Sequence, residues 1–162
     1  MSRFALLGII TCIVSISPAA AQEALDGTWK LISSKRTNQA TGVTTDTFGT
    51  NPQGFIMYSR DGHMMVLLTQ TGRPRADSIE KMTDQQREQL YSSMIAYAGT
   101  YKFDGKTMEH HVDISWNEMW TGTIQFREIA RDGERLIIST RPQPSPRDGR
   151  MSITTLTWEK VK

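Results

Sequence analysis

The sequence predicts an all-β domain, an antiparallel up-and-down β-barrel of about eight to ten short strands with one inserted α-helix at about residues 83–98. Two observations carry the prediction. Tight-turn pairs, Asp61-Gly62, Asp104-Gly105 and Asp132-Gly133, join alternating apolar segments in succession, and such hairpins favour neighbours in space that are neighbours in sequence. A single capping box, Thr83 with Gln86, precedes residues at helical spacing, Leu90, Tyr91, Met94, Tyr97 and Ala98, with Gly99 as the stop. A barrel closes its own edges, and with about eight strands it leaves room for one small ligand.

The chain opens MSRFALLGIITCIVSISPAAAQ. Arg3, an apolar run from Phe4 to Ile16, and Ala19 and Ala21 at signal-peptidase spacing predict a signal peptide over residues 1–21 and a mature domain over 22–162. The run falls short of the ~20 residues of a spanning helix. The one cysteine, Cys12, lies inside this leader and is not preceded by the small residues of an acylation site. The expected product is therefore thiol-free, without a lipid, and periplasmic or secreted, stabilised by a core and not by disulfides. Loss of the leader removes Arg3 and no acid, leaving 18 basic against 17 acidic residues. That balance offers no electrostatic basis for nucleic acid or for an anionic membrane.

The mature chain begins with a strand that places Trp29, Leu31 and Ser33 on one face, then a loop at Asn38 to Gly42 and a Thr-rich strand from Val43 to Phe48. Asn51-Pro52-Gln53-Gly54 is a turn. The hairpin at Asp61-Gly62 is apolar on both faces: Phe55, Met57, Met64, Val66 and Leu68 form one set, and Ile56, Tyr58, Met65 and Leu67 the other. It calls for cover on its outer side, which the helix is expected to give. The polar segment Thr71 to Glu80 is a loop.

The central hairpin fixes the interior most firmly. A two-residue turn at Asp104-Gly105 pairs Phe103 with Lys106, Tyr101 with Met108 and Gly99 with His110. Gly99, Tyr101, Phe103, Met108, His110, Val112 and Ile114 then face inward; Thr100, Lys102, Thr107, Glu109, His111 and Asp113 face water. The next hairpin, at Asp132-Gly133, pairs Ile129 with Leu136 and Arg127 with Ile138. It has two possible inward faces, Ile129, Leu136 and Ile138 with Arg127, or Ile124, Phe126 and Ile137 with Glu128. The first is preferred because it avoids burying Glu128. Prolines at 142, 144 and 146 make an extended loop, and a strand from Met151 to Lys160 with Ile153, Leu156 and Trp158 closes the chain.

Several segments in this order resemble the lipocalin-like domain proteins of bacteria and fungi: Gly27-Thr28-Trp29-Lys30-Leu31, Pro52-Gln53-Gly54 to Tyr58 with Asp61-Gly62-His63-Met64, Tyr97 to Tyr101, His110-His111-Val112, and Trp120-Thr121-Gly122-Thr123 leading to Arg127. Glu118-Met119 departs from it, since similar sequences tend to have a proline before the tryptophan. The resemblance implies a lipocalin-type barrel and says little about chemistry. It also implies that Trp29 closes the base of the barrel, with an arginine stacked on its ring.

The expected function is interior binding of a small, mostly apolar or weakly acidic molecule, through Tyr101, Met108, His110, Trp116, Trp120, Arg127, Met57 and Tyr58. Trp116 and Trp120 flank a connection and are placed at the mouth. His110, as the one ionisable group set firmly inward, is also the candidate acid/base of the alternative, a cofactor-free isomerase or cyclase on the same barrel. No metal-ligand pattern, nucleophile elbow or P-loop occurs, so neither metal nor cofactor is expected.

Overall fold

A computed structural model describes residues 25–145 and 148–162. The expected leader and Cys12 fall outside them. Strands β1 (Gly27–Asn38), β3 (Gln53–Tyr58), β4 (His63–Thr69), β5 (Met94–Phe103), β6 (Thr107–Ser115), β7 (Ile124–Asp132), β8 (Arg135–Thr140) and β10 (Met151–Lys160) pair in that order, and β1 pairs with β10 to close the ring. Two short strands lie beside it, β2 (Thr44–Asp46) on β1 and β9 (Gln143–Pro144) on β10. The result is a closed eight-strand antiparallel up-and-down barrel. Among the described residues no helix is long and apolar enough to cross a membrane.

The two ends differ, and the difference places the site. Tight hairpins β3–β4, β5–β6 and β7–β8 gather at one end with the start of β1 and the finish of β10. The longer connections, β1–β3, β4–β5, β6–β7 and β8–β10, gather at the other. One helix, α1 (Asp84–Ser92), and one 3-10 turn (Glu118–Trp120) lie in those longer connections.

Several local expectations are corrected. The β5–β6 register pairs Tyr101 with His110 and Phe103 with Met108, two residues away from the predicted one. Asp104 does not adopt positive φ. Its carboxylate instead accepts hydrogen bonds from the Lys106 and Thr107 amides at 2.8 and 2.7 Å, a side-chain turn that widens the loop. The β7–β8 register, Ile129 with Ile138 and Arg127 with Thr140, is also displaced by two. Displacements by two preserve the faces, because strand side chains alternate with period two. His110 therefore points inward and Arg127 with it, as the preferred phase has it.

Bulges change faces where sequence alternation cannot show them. In β6 an extra residue, Asp113, stands between Gly99↔Val112 and Ala98↔Ile114, so Ile114 turns outward and is 67% exposed, against its inward expectation. In β1 the register shifts between Leu31 and Ser33, and Ser34 is the buried residue instead of Ser33. The β3–β4 hairpin pairs Tyr58 with Met64 and Met57 with Met65. Its inner set is Ile56, Tyr58, Met64, Val66 and Leu68, and its outer set is Phe55, Met57, Met65 and Leu67.

The helix is shorter than expected. Its capping box is present, with Thr83 and Gln86 bonded reciprocally, but it ends at Ser92, and Tyr97 and Ala98 belong to β5. None of its residues is buried, and it does not cover the outer face of β3–β4, where Phe55, Met57, Met65 and Leu67 stay exposed. The β-branched and aromatic neighbours of Tyr97, together with pairing to β4 on one side and β6 on the other, outweigh helical spacing in a segment of weak propensity.

Candidate ligand-binding site

The tight-hairpin end is sealed. Trp29 is buried, its Nε1 donates to the Leu25 carbonyl at 2.9 Å, and its ring carries the Arg131 guanidinium at 4.7 Å and the Lys160 ammonium at 5.5 Å. These cations close the barrel base over the π face, the arrangement that the resemblance implies. Above this plug lie Met108, Leu136 and Tyr101, all buried. The Tyr101 hydroxyl donates to the Ser59 carbonyl at 3.1 Å, and its ring packs 4.8 Å from that of Tyr58.

His110, 1% exposed, sits on this layer between two phenols. Its Nε2 lies 2.9 Å from the Tyr58 hydroxyl and its Nδ1 lies 2.9 Å from the Tyr97 hydroxyl. Burial holds the imidazole well below its ordinary pKa, with the positive charge of Arg127 and then His111 acting in the same direction. The ring is therefore neutral, with one donor and one acceptor nitrogen. Nε2 also lies 2.8 Å from the Met108 sulfur, so Tyr58, Tyr97 and Met108 together engage both ring nitrogens. Burial first, and Tyr97 next, push the Tyr58 phenol well above its ordinary pKa, which keeps it protonated.

Beside this group lies an inner chamber of about 110 Å³ lined by His110, Arg127, Ile138 and Trp120 among others. An outer chamber of about 260 Å³, lined by Tyr91, Met94 and Trp116, adjoins it and shares Phe48, Ile95 and Trp120 as walls. The aromatic rim is continuous: Trp120 packs edge-on to Tyr97 at 5.6 Å and to Trp116 at 5.0 Å. Arg36 in the outer chamber is already matched, donating to Ser145 at 2.5 Å and pairing with Asp148 at 3.2 Å. Among the described residues no cluster of three or more His, Cys, Asp or Glu could hold a metal ion.

The expected site residues thus divide. His110, Arg127 and Trp120 line the inner chamber and Trp116 the outer one. Tyr58, Tyr101 and Met108 are inside the barrel but form the packed layer that supports His110. Met57 is corrected: it is 42% exposed on the outer face, because the β3–β4 register pairs it with Met65. Tyr97 is the functional side chain that sequence reading missed. Alternation back from Tyr101 through Gly99 would have placed it inward, but its helical spacing from Leu90 and Met94 assigned it to the helix.

No curated protein matches the sequence significantly. A solved structure of EF1p2_mFAP2b bound to DFHBI is similar at 15% identity, over 90% of this chain and 100% of that one, with a TM-score of 0.43, a likeness from which no ligand is carried over. A family model of the lipocalin-like domain matches residues 26–161. That span runs from the base tryptophan through the closing strand, and the chain belongs to the lipocalin-like domain family.

Proposed function

We propose that this protein, exported with residues 1–21 removed, holds a small, mostly apolar or weakly acidic molecule inside the barrel. The observation that carries the reading is the pair of adjoining chambers, with Trp120, Phe48 and Ile95 as shared walls, away from the Trp29 plug. Its walls are chiefly apolar, with a few converging polar groups, the composition that holds and orients a ligand. An apolar cavity of ~150 Å³ accepts benzene, so the inner chamber of about 110 Å³ suits a head group or a short chain, with the remainder of the molecule among the tryptophans. The bonding of His110 supports binding over proton transfer: both ring nitrogens are engaged by phenols, so neither is presented to a substrate.

The test is a titration of the processed chain, identified by an intact mass beginning at Gln22, with small aromatic acids, short fatty acids and a polarity-sensitive dye. Saturable one-to-one binding with a change in tryptophan emission is expected, since Trp116, Trp120 and Trp158 line the two chambers. Absence of saturable binding across the panel, in a protein that unfolds cooperatively, overturns the proposal.

A further inference from the structure

The inner chamber collects hydrogen-bond donors without matching acceptors. Arg127 is 6% exposed and lines the chamber, yet among the described residues no carboxylate pairs with it. Its recorded hydrogen bond is from Nη1 to the Phe126 carbonyl at 2.8 Å, and a guanidinium carries five N–H donors. Trp158, which also lines the chamber, is buried, and its indole Nε1 has no hydrogen-bond partner among the described residues.

A buried cation without a counter-ion is strongly unfavourable, and the interior retains one only where charge or hydrogen bonding compensates it. All the unsatisfied groups here are donors, and their shared complement is an anionic acceptor. The planar fork of arginine matches a carboxylate in particular.

Resting on the binding function proposed above, we infer that the ligand is an organic acid bound head-first: its carboxylate meets Arg127, and its apolar body extends past Trp120 into the outer chamber. Charge at the inner end and aromatic surface at the outer end give the ligand one orientation. The inner chamber is then an anion site, and the outer chamber selects for shape.

The experiment compares phenylbutyrate with phenylbutanol, which share an apolar body and differ at the head, by calorimetry at neutral pH. The wild-type protein is expected to bind the acid about 10- to 100-fold tighter than the alcohol, the range of a hydrogen bond to a charged group. In Arg127→Met the preference is expected to vanish, because the alcohol loses little while the acid loses its charged partner. The wild-type comparison stands by itself even where Arg127→Met fails to fold. Equal affinity of the two probes for wild type overturns the anion site and leaves interior binding intact. No binding of either probe, with binding of a neutral dye, also overturns it, and no binding of any probe overturns both readings.

Discussion

Replacing His110 with leucine is expected to destabilise the barrel by about 2–5 kcal/mol. The loss does not come from volume, since leucine approaches imidazole in size; it comes from the phenols left behind. Tyr58 is buried and hydrogen-bonded to Nε2, and a buried hydroxyl left without its partner costs about 1–3 kcal/mol. Tyr97 loses Nδ1 as its partner but can turn its hydroxyl to the chamber it lines, so its share is smaller. The triple variant Tyr58→Phe, Tyr97→Phe, His110→Leu removes the orphaned groups together and is expected to be more stable than His110→Leu alone. The pH dependence gives an independent reading. Because His110 is held neutral in the fold, the unfolded chain takes up a proton that the folded one does not, so stability falls as pH drops below about 6.5. The slope approaches about 1.4 kcal/mol per pH unit per group. The described carboxylates whose pKa is lowered, such as Asp61 at about 2, act at lower pH. Urea denaturation between about pH 5 and 7 should show the slope in wild type and its loss in His110→Leu. An unchanged slope in the variant would assign it to other groups.

Gly99→Ala is expected to cost about 3 kcal/mol or more, or to prevent folding. A Cβ at this position would lie 1.9 Å from the His111 carbonyl oxygen and 2.9 Å from the Asp113 amide. Both are backbone atoms, so no rotamer change relieves the overlap. The bulge that brings the two strands this close also turns Ile114 outward while Tyr97 and Gly99 remain inward. A variant that folds should therefore show local disturbance near His110 in addition to lower denaturation midpoints. Wild-type stability in Gly99→Ala would mean that the close approach is absent.

The barrel was legible because its evidence is redundant. Alternation along both arms of the central hairpin places His110 inward even with the loop misjudged, since the true register differs by two and parity survives. Arg127 was only half legible: its hairpin offers two apolar faces, and avoiding the burial of Glu128 gives no more than a preference between them, which the observed register decides. What could not be read depends on single extra residues and on competition between patterns. Asp113 inserts into β6 without any change in local composition, so Ile114 was expected inside. Tyr97 satisfies both a helical spacing from Leu90 and a strand alternation from Tyr101, and pairing with β4 and β6 decides between them. Met57 and Met65 are equally apolar on either face of their hairpin, so only the observed register, Met57 opposite Met65, tells outside from inside. The chamber itself is a property of eight strands together, and hairpin-by-hairpin reading identifies its walls but not the layer of Tyr101 and Met108 that forms its floor.

The most direct measurement is a crystal structure of the processed protein with bromophenylbutyrate, collected at the bromine absorption edge. The account predicts one anomalous peak inside the barrel mouth, between Trp120, Ile95 and Trp116, with the carboxylate density at Arg127. A peak confined to the outer groove of Met57, Met65 and Ile114, with the interior filled by protein side chains, would contradict it.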